Sequence, residues 1–432
     1  MAGAAPKSTA VWVIRQLRRA GFEALLAGGC VRDMLLGRRC TDYDVATSAT
    51  PDQVRRIFRH VLLVGAKFGV AMVIKDSLRV EVATFRSDLS YSDGRRPEGV
   101  RFTTAREDAL RRDFTINGMF YDPVERRVID YVGGREDISR RVVRTIGDAA
   151  QRFGEDYLRM LRAVRFTMAL GFDLDAEAAG AIRRTAERIA QISGERVFEE
   201  LWKMLQKPSA AGALKMLADL GLARHVLPEL FEAAGAWERG ADRVEAVAAR
   251  KDPALNLAAL VMELPPDPIA RIIRRGGQAN ELRESLIWIA AHRDDWRRAV
   301  GMRIADFKRL LANRSFDRLR RLWAVEERKE TGAARLSAGI LRRARSIPPG
   351  LVAPPPFLTG RDVMALGVEE GERLGEILRR LYDAQLNEEL PDRRAAMAAA
   401  RRMAAEPPTR TESRDAGDTG DERNEEKEEG TS

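Results

Sequence analysis

The feature that most constrains this chain is a change of periodicity near Gly154. Ahead of it, short β-rich runs alternate with helical stretches. Beyond it the strand signals vanish and apolar residues recur at helical spacing to about Arg402, as in Leu158, Leu161 and Val164, or Val197, Leu201, Met204 and Leu205. A chain divided this way keeps its helices apart from one small sheet, so the pattern predicts an α+β fold: a mixed-sheet head followed by an all-helical remainder.

Within the head, Phe22–Ala27 reads as a strand ending in Gly28-Gly29, with a helix from about Val31, and Pro51 opens a helix to about Phe58. Val70–Ile74 and Leu78–Thr84 read as a hairpin joined by Lys75-Asp76-Ser77. Glu107–Arg112 reads as helix, and Thr115–Tyr121 and Val128–Tyr131 as extended. DLSYSDGRRPEG, Asp88–Gly99, is a loop by its turn formers. Pro265-Pro266, Pro348-Pro349 and Pro354–Pro356 punctuate the helical part. From Glu406 the chain has almost no apolar residue and is expected to be disordered.

Of 432 residues, 45% are apolar and 32% charged, which excludes collagen-like and wholly disordered chains. No apolar run reaches 18 residues, so no membrane span is expected. The N-terminus lacks the pattern of a signal peptide. The 2 cysteines form no disulfide framework or zinc cluster and are expected as reduced cytoplasmic thiols. His60, His225 and His292 are scattered, none beside an acid, and are expected to be structural or on the surface. Lys+Arg is 74 against 65 Asp+Glu, a net of +9. The last 27 residues hold ten acids and four bases, a net of −6, which leaves +15 on the body. Such a body suits a polyanion.

The densest chemistry lies in LAGGCVRDMLLGRRCTDYDVAT, Leu26–Thr47. Glycines let the backbone approach a phosphate without a Cβ in the way, and a helix N-terminus offers unpaired N–H groups. Asp42 and Asp44, if in a strand, share a face, and their hard oxygens suit Mg²⁺. Alone, an Asp-x-Asp is an exposed turn and a Gly-Gly an ordinary one. In this order and spacing they point to nucleotide chemistry.

GGCVRDMLLG followed by TDYD resembles the signature of the class II tRNA nucleotidyltransferase and bacterial poly(A) polymerase family, within the polymerase-β-like nucleotidyltransferases. RVEVATFR (Arg79–Arg86), RRDFTINGMFYD (Arg111–Asp122), EDYLRMLRAVRF (Glu155–Phe166) and, more weakly, ISGERVFEEL (Ile192–Leu201) match in order. The likeness spans about residues 20–230, with Cys30 and Gly118 standing where alanine is common. It implies a catalytic head over 1–145, a helical neck over 146–205 that selects the base, an RNA-binding body and tail over 206–405, and a disordered acidic tail over 406–432.

The implied reaction is attack of an RNA 3′-hydroxyl on the α-phosphate of CTP or ATP with loss of pyrophosphate, adding C, C and A to tRNA. Asp42 and Asp44 would hold Mg²⁺, with Glu81 as a third carboxylate. Gly28, Gly29, Arg32, Arg112, Asp156, Arg159, Arg162 and Arg165 would bind nucleotide. Asp156 and Arg159, read as i and i+3 on one helix, are either a surface ion pair or a protein template for the base. As a template, a carboxylate acceptor beside a guanidinium donor matches the amino group and ring nitrogen of cytosine and adenine, and repels uracil and guanine. Arg274-Arg275, Arg297-Arg298 and Arg320-Arg321 are candidate phosphate contacts. The alternatives are a poly(A) polymerase and a catalytically inactive RNA-binding protein. Val64–Ile74 leans towards the tRNA enzymes, and the intact Asp88–Gly99 loop away from enzymes adding only C. No His-Asp dipeptide is present, so a phosphohydrolase activity is not expected.

Overall fold

The structure, a computed structural model, describes residues 6–63, 69–88 and 99–406. Residues 89–98 of the loop expected over Asp88–Gly99, the 64–68 part of the Val64–Ile74 stretch and the acidic tail past Glu406 lie outside the described residues; Asp88 itself ends a strand. Contacts divide the chain into two compact units, residues 1–297 with 314–338, and 298–313 with 339–432.

The first unit opens with helix α1 (Pro6–Arg19), then β1 (Ala24–Ala27), α2 (Gly29–Leu35), β2 (Asp44–Thr47), α3 (Pro51–Ile57), β3 (Val61–Leu62), β4 (Val70–Lys75) and β5 (Leu78–Thr84). A short hairpin, β6 (Arg86–Asp88) with β7 (Val100–Phe102), precedes α4 (Ala105–Leu110), β8 (Phe120–Asp122) and β9 (Arg127–Ile129). Seven of these strands form one sheet in the order β3-β4-β5-β2-β1-β8-β9. Its β2–β5 pair is parallel, with Val45 opposite Val82, and its other pairs are antiparallel.

Alternation along the strands sorts residues onto two faces. Ala24 and Leu26 of β1, Val45 of β2, and Val80 and Val82 of β5 pack under α1, against Ala10, Val13, Ile14 and Leu17. Leu25, Ala27 and Ala46 face the other way, against Phe85, Ala105, Ala109 and Phe120. Both faces of β1 are covered, which explains its unbroken apolar run. Asp44 and Glu81 are in step with Ala46 and against Val80 and Val82, so both carboxylates fall on the α4 face.

Local signals hold at the turns. Asp76 and Ser77 take φ of 49° and 66°, the two-residue turn of a tight hairpin. Thr50 caps α3 in a capping box with Gln53 ahead of Pro51. Three expectations fail. Thr115–Asn117 is a 3₁₀ turn and not extended, because Asn117 folds its amide back towards Asp113. Asp42 precedes β2 rather than lying in it, so the shared-strand-face argument for Asp42 and Asp44 does not apply. Asp156 is not helical: it has φ −151° and ψ 104°.

After α5 (Gly134–Arg140) and β10 (Val142–Val143), α6 (Ala149–Glu155) leads into α7 (Leu158–Leu170). Beyond α7 come β11 (Asp173–Leu174), α8 (Ala176–Thr185), α9 (Gly194–Leu205) and further helices. α7 is buried almost all round, packed between α9 and the helix Ala210–Asp219. The second unit has its own core, in which Leu358, Val363, Leu374, Ile377 and Leu381 meet Ala396, Ala399 and Ala400.

Candidate active site

A cavity of about 500 Å³ opens in the first unit, between the α4 face of the sheet, the Thr115–Asn117 turn, and helix α7 with Asp156 just ahead of it. Gly28 enters α2 at φ 75° and ψ −133°, a conformation that favours glycine, and a Cβ there would lie 3.1 Å from Arg112 Nη1. Gly28 and Gly29 therefore line the cavity with bare backbone.

The parallel β2–β5 register sets Asp44 beside Glu81, and both line the cavity. Burial, then Glu81 and Asp42, push the Asp44 carboxyl up to about 6 against the pull of Arg112. Asp42 is exposed just outside the lining and acts on Asp44 through its charge. Among the described residues none of the three carboxylates is in an ion pair, and no three acid, thiol or imidazole groups are gathered to hold a metal alone. The donors are hard oxygens, and their mutual repulsion is what a divalent cation relieves. They fit a cation held jointly with substrate phosphates, as Mg²⁺ commonly is, rather than a self-contained protein cage.

Arg111 and Arg112 are clamped by one buried carboxylate. Asp108, 1% exposed, accepts from Arg111 Nη2 at 2.7 Å on Oδ1 and from Arg112 Nη2 at 2.9 Å on Oδ2. The i+3 and i+4 spacing along the end of α4 brings all three together. Burial raises the Asp108 carboxyl, but Arg112 and Arg111 outweigh it and hold the group below the usual range. Arg112 also lies 5.1 Å over the Phe120 ring. Arg32 donates to Asn117 Oδ1 at 2.7 Å and to Asp33 at 2.8 Å, and lines the same cavity.

The neck supplies the facing wall. Asp156, Arg159 and Arg162 line the cavity, whereas Arg165 does not. The Asp156–Arg159 ion pair weighed from sequence is absent, because Asp156 sits in the break between α6 and α7. Its Oδ1 accepts Leu158 N–H at 3.0 Å and its Oδ2 accepts Arg196 Nη2 at 2.8 Å. Arg159 instead meets Glu155 Oε2 at 2.5 Å and Arg152 O at 2.9 Å. Arg162 binds Asp113 Oδ2 at 2.7 Å, and Arg165 binds buried Glu200 at 2.6 Å. Arg32, Arg162 and Arg165 all lie within 5.3 Å of the Phe166 ring centroid.

Sequence reading passed over Arg86 and Asn117, which line the cavity, and over Asp108, Glu155, Arg196 and Glu200, which hold residues that do. Asp108 and Glu155 had a local signal, arginines three and four residues away; Arg196 and Glu200 meet their partners across long stretches of sequence. None of the three histidines lines the cavity, and His292 is engaged with Trp288 O at 2.8 Å. Several proposed phosphate arginines have carboxylate partners: Arg275 binds Glu229, Arg297 binds Asp294 and Glu330, and Arg320 and Arg321 bind Asp317.

Residues 24–144 match the family described as the Poly A polymerase head domain, and residues 171–233 match the "Probable RNA and SrmB- binding site of polymerase A". In fold the chain is similar to a CCA-adding enzyme of Bacillus stearothermophilus, solved in complex with CTP. The TM-score is 0.76 and the identity 32%, covering 92% of this chain and 98% of that one. The chain belongs to the family of CCA-adding enzymes and bacterial poly(A) polymerases. The mixed-sheet head and helical remainder are the fold of this CCA-adding enzyme family. A CCA-adding enzyme of Geobacillus thermodenitrificans (strain NG80-2) is 48% identical over 237 residues, 55% of this chain and 58% of that protein. Poly(A) polymerase I of Salmonella typhimurium (strain LT2) is 41% identical over 232 residues, 51% of this chain and 50% of that protein. In sequence, the chain matches about half the length of these curated relatives. Among the described residues no helix is long and apolar enough to cross a membrane.

Proposed function

We propose that this chain adds C, C and A to tRNA 3′ ends from CTP and ATP without a nucleic-acid template, releasing pyrophosphate. One observation carries the reading: a glycine turn, two adjacent carboxylates, clamped arginines and a carboxylate–guanidinium pair share a single cavity. In this reading residues 1–145 are the catalytic head, 146–205 the base-selecting neck and 206–405 the RNA-binding body and tail. The reaction draws on cytoplasmic nucleotides and tRNA, so the proposal carries that location with it.

Gly28-Gly29, Arg32 and Arg112 receive the triphosphate, with Arg162 and Arg165 behind. Asp42 and Asp44, with Glu81 beside them, would hold Mg²⁺ together with phosphate oxygens; bound there, it supplies charge neutralisation at the attacking and leaving oxygens. Asp108 keeps the Arg111 and Arg112 forks fixed, so little reorganisation is needed as charge develops on the phosphates. For the base, Asp156 accepts the amino hydrogen of cytosine N4 or adenine N6, and Arg159 donates to N3 or N1. A carboxylate has about four lone-pair sites, so its bonds to Leu158 and Arg196 leave it able to accept from a base. Uracil and guanine set a carbonyl against the carboxylate and a ring N–H against the guanidinium, a mismatch worth up to ~10⁴ in discrimination.

The poly(A) reading is favoured by the 41% identity to the Salmonella enzyme, and both readings use the same head. Incubation of purified protein with MgCl₂, labelled CTP or ATP, and tRNA lacking its terminus separates them. Ordered incorporation of C, C and A supports the proposal. A-only tracts support the alternative, and no incorporation refutes both.

A further inference from the structure

We propose that Arg196 is a positioning residue for base selection, acting through Asp156; this rests on the reading of Asp156 as the base-reading acceptor. Asp156 lies outside the helical ladders of α6 and α7, with extended dihedrals, so its backbone alone does not fix where the carboxylate points. Two contacts fix it. The Leu158 N–H holds Oδ1 at 3.0 Å, and the Arg196 guanidinium, from a different helix, holds Oδ2 at 2.8 Å.

The second contact matters because of what stands nearby. Arg159 is one turn along the chain, and Arg162 lies close enough to feel the Asp156 charge. A carboxylate released from Arg196 is drawn to these guanidiniums. The acceptor and donor of the base-reading pair then neutralise each other instead of meeting a base. Arg196 holds the acceptor from behind, as Glu155 holds Arg159 at 2.5 Å, so the two stay apart.

The same face of α9 carries this logic further. Glu200 is four residues after Arg196, one turn along the helix. Glu200 is 3% exposed and takes Arg165 at 2.6 Å and Arg162 at 3.7 Å. One helix face thus presents a cation to the base-reading acceptor and an anion to Arg162 and Arg165. Arg196 Nη1 is itself buried without a hydrogen-bond partner.

The experiment is kcat/KM for CTP, ATP, UTP and GTP on an acceptor tRNA. It compares wild type, Arg196→Ala, Arg196→Lys, Asp156→Ala and the Asp156→Ala/Arg196→Ala double variant. Arg196→Ala is expected to lower CTP and ATP use by roughly 10-fold or more and to shrink the CTP:UTP ratio, since a displaced contact group costs about that much or more. Arg196→Lys, which keeps a charged donor, recovers part of the ratio. In the Asp156→Ala background, removing Arg196 leaves the ratio where Asp156→Ala set it. An equal fall for all four nucleotides, or a further loss of ratio in that background, overturns the proposal. If the Ala variant does not fold, Arg196→Gln serves, and an unchanged ratio there is also fatal. If Asp156→Ala leaves a wild-type ratio, the base-reading assignment fails first and takes this one with it; if Asp156→Ala moves the ratio and Arg196→Ala does not, only this one fails.

Discussion

Asp108→Asn tests the arginine clamp with a change of one atom. Asp108 is 1% exposed, and each oxygen serves one guanidinium, while the Arg111 and Arg112 side chains are 20% and 19% exposed. An asparagine keeps one acceptor and turns an amide donor towards a donor. Each charge-assisted contact is worth about 1.5–3 kcal/mol, and breaking a largely buried pair costs about 3–5 kcal/mol. We expect a loss near the lower end of that range, because both arginines reach water. The pH dependence has a definite sign. The folded carboxyl is held below its ordinary value, so its stabilisation is present above the unfolded value of about 4 and fades as pH falls through the folded one. Urea unfolding at pH 7 should therefore separate wild type from variant widely, and unfolding near pH 3 much less. Nucleotide kcat/KM should fall in parallel, since Arg112 is no longer held at the cavity wall. Equal midpoints at pH 7, or a gap that does not narrow in acid, would refute the clamp.

Asp44→Ala is expected to abolish labelled CTP incorporation while gel-shift affinity for tRNA survives; wild-type incorporation would sink the metal assignment. Because the Asp44 carboxyl sits at about 6, CTP incorporation at a fixed, subsaturating MgCl₂ concentration should fall as pH is lowered through that value. Asp156→Ala should lower CTP and ATP kcat/KM by roughly 10- to 100-fold and narrow the gap to UTP and GTP. An equal loss for all four would make Asp156 structural. For ~5 phosphate contacts, log K for tRNA against log salt should slope near −4 to −5, and a flat response would mean that the arginines only solvate the surface.

What was legible in the sequence was what a few neighbouring residues decide. The hairpin turn at Lys75-Asp76-Ser77, the helix opened by Pro51 and the switch to helix beyond Gly154 are local, and the structure carries each, with only the two-residue β11 interrupting the last. Side chains that bond back to nearby backbone or to each other defeated the local reading. The run through Thr115–Asn117 looks extended by composition, yet Asn117 folds it into a 3₁₀ turn and reaches Arg32. The periodicity from Glu155 to Phe166 looks like one helix, yet Asp156 takes the Leu158 N–H and breaks it. Partners far along the chain were out of reach altogether. Asp44 and Glu81 meet only because β2 and β5 are parallel neighbours, which no spacing announces. Arg196 and Glu200 belonged to the weakest of the five motifs, and their importance lies in what α9 faces.

The arginine excess needs the same correction. A body of +15 suggests many free phosphate contacts, but charge that is already paired inside the protein is not free to release counterions from RNA. At the cavity, Arg111 and Arg112 share Asp108, Arg162 has Asp113 and Arg165 has Glu200. Elsewhere in the first unit, Arg271, Arg275, Arg297 and Arg321 each face a carboxylate. Exposed pairs of this kind are worth only ~0–1 kcal/mol, so a phosphate can compete for such an arginine, but only by leaving the acid behind it less well paired. Buried pairs such as Arg165–Glu200 resist that exchange, because an acid 3% exposed would be left without its partner. The number of phosphates neutralised should therefore track the exposed arginines and not the net charge, which is why the salt slope is expected to correspond to about five contacts although the body carries +15.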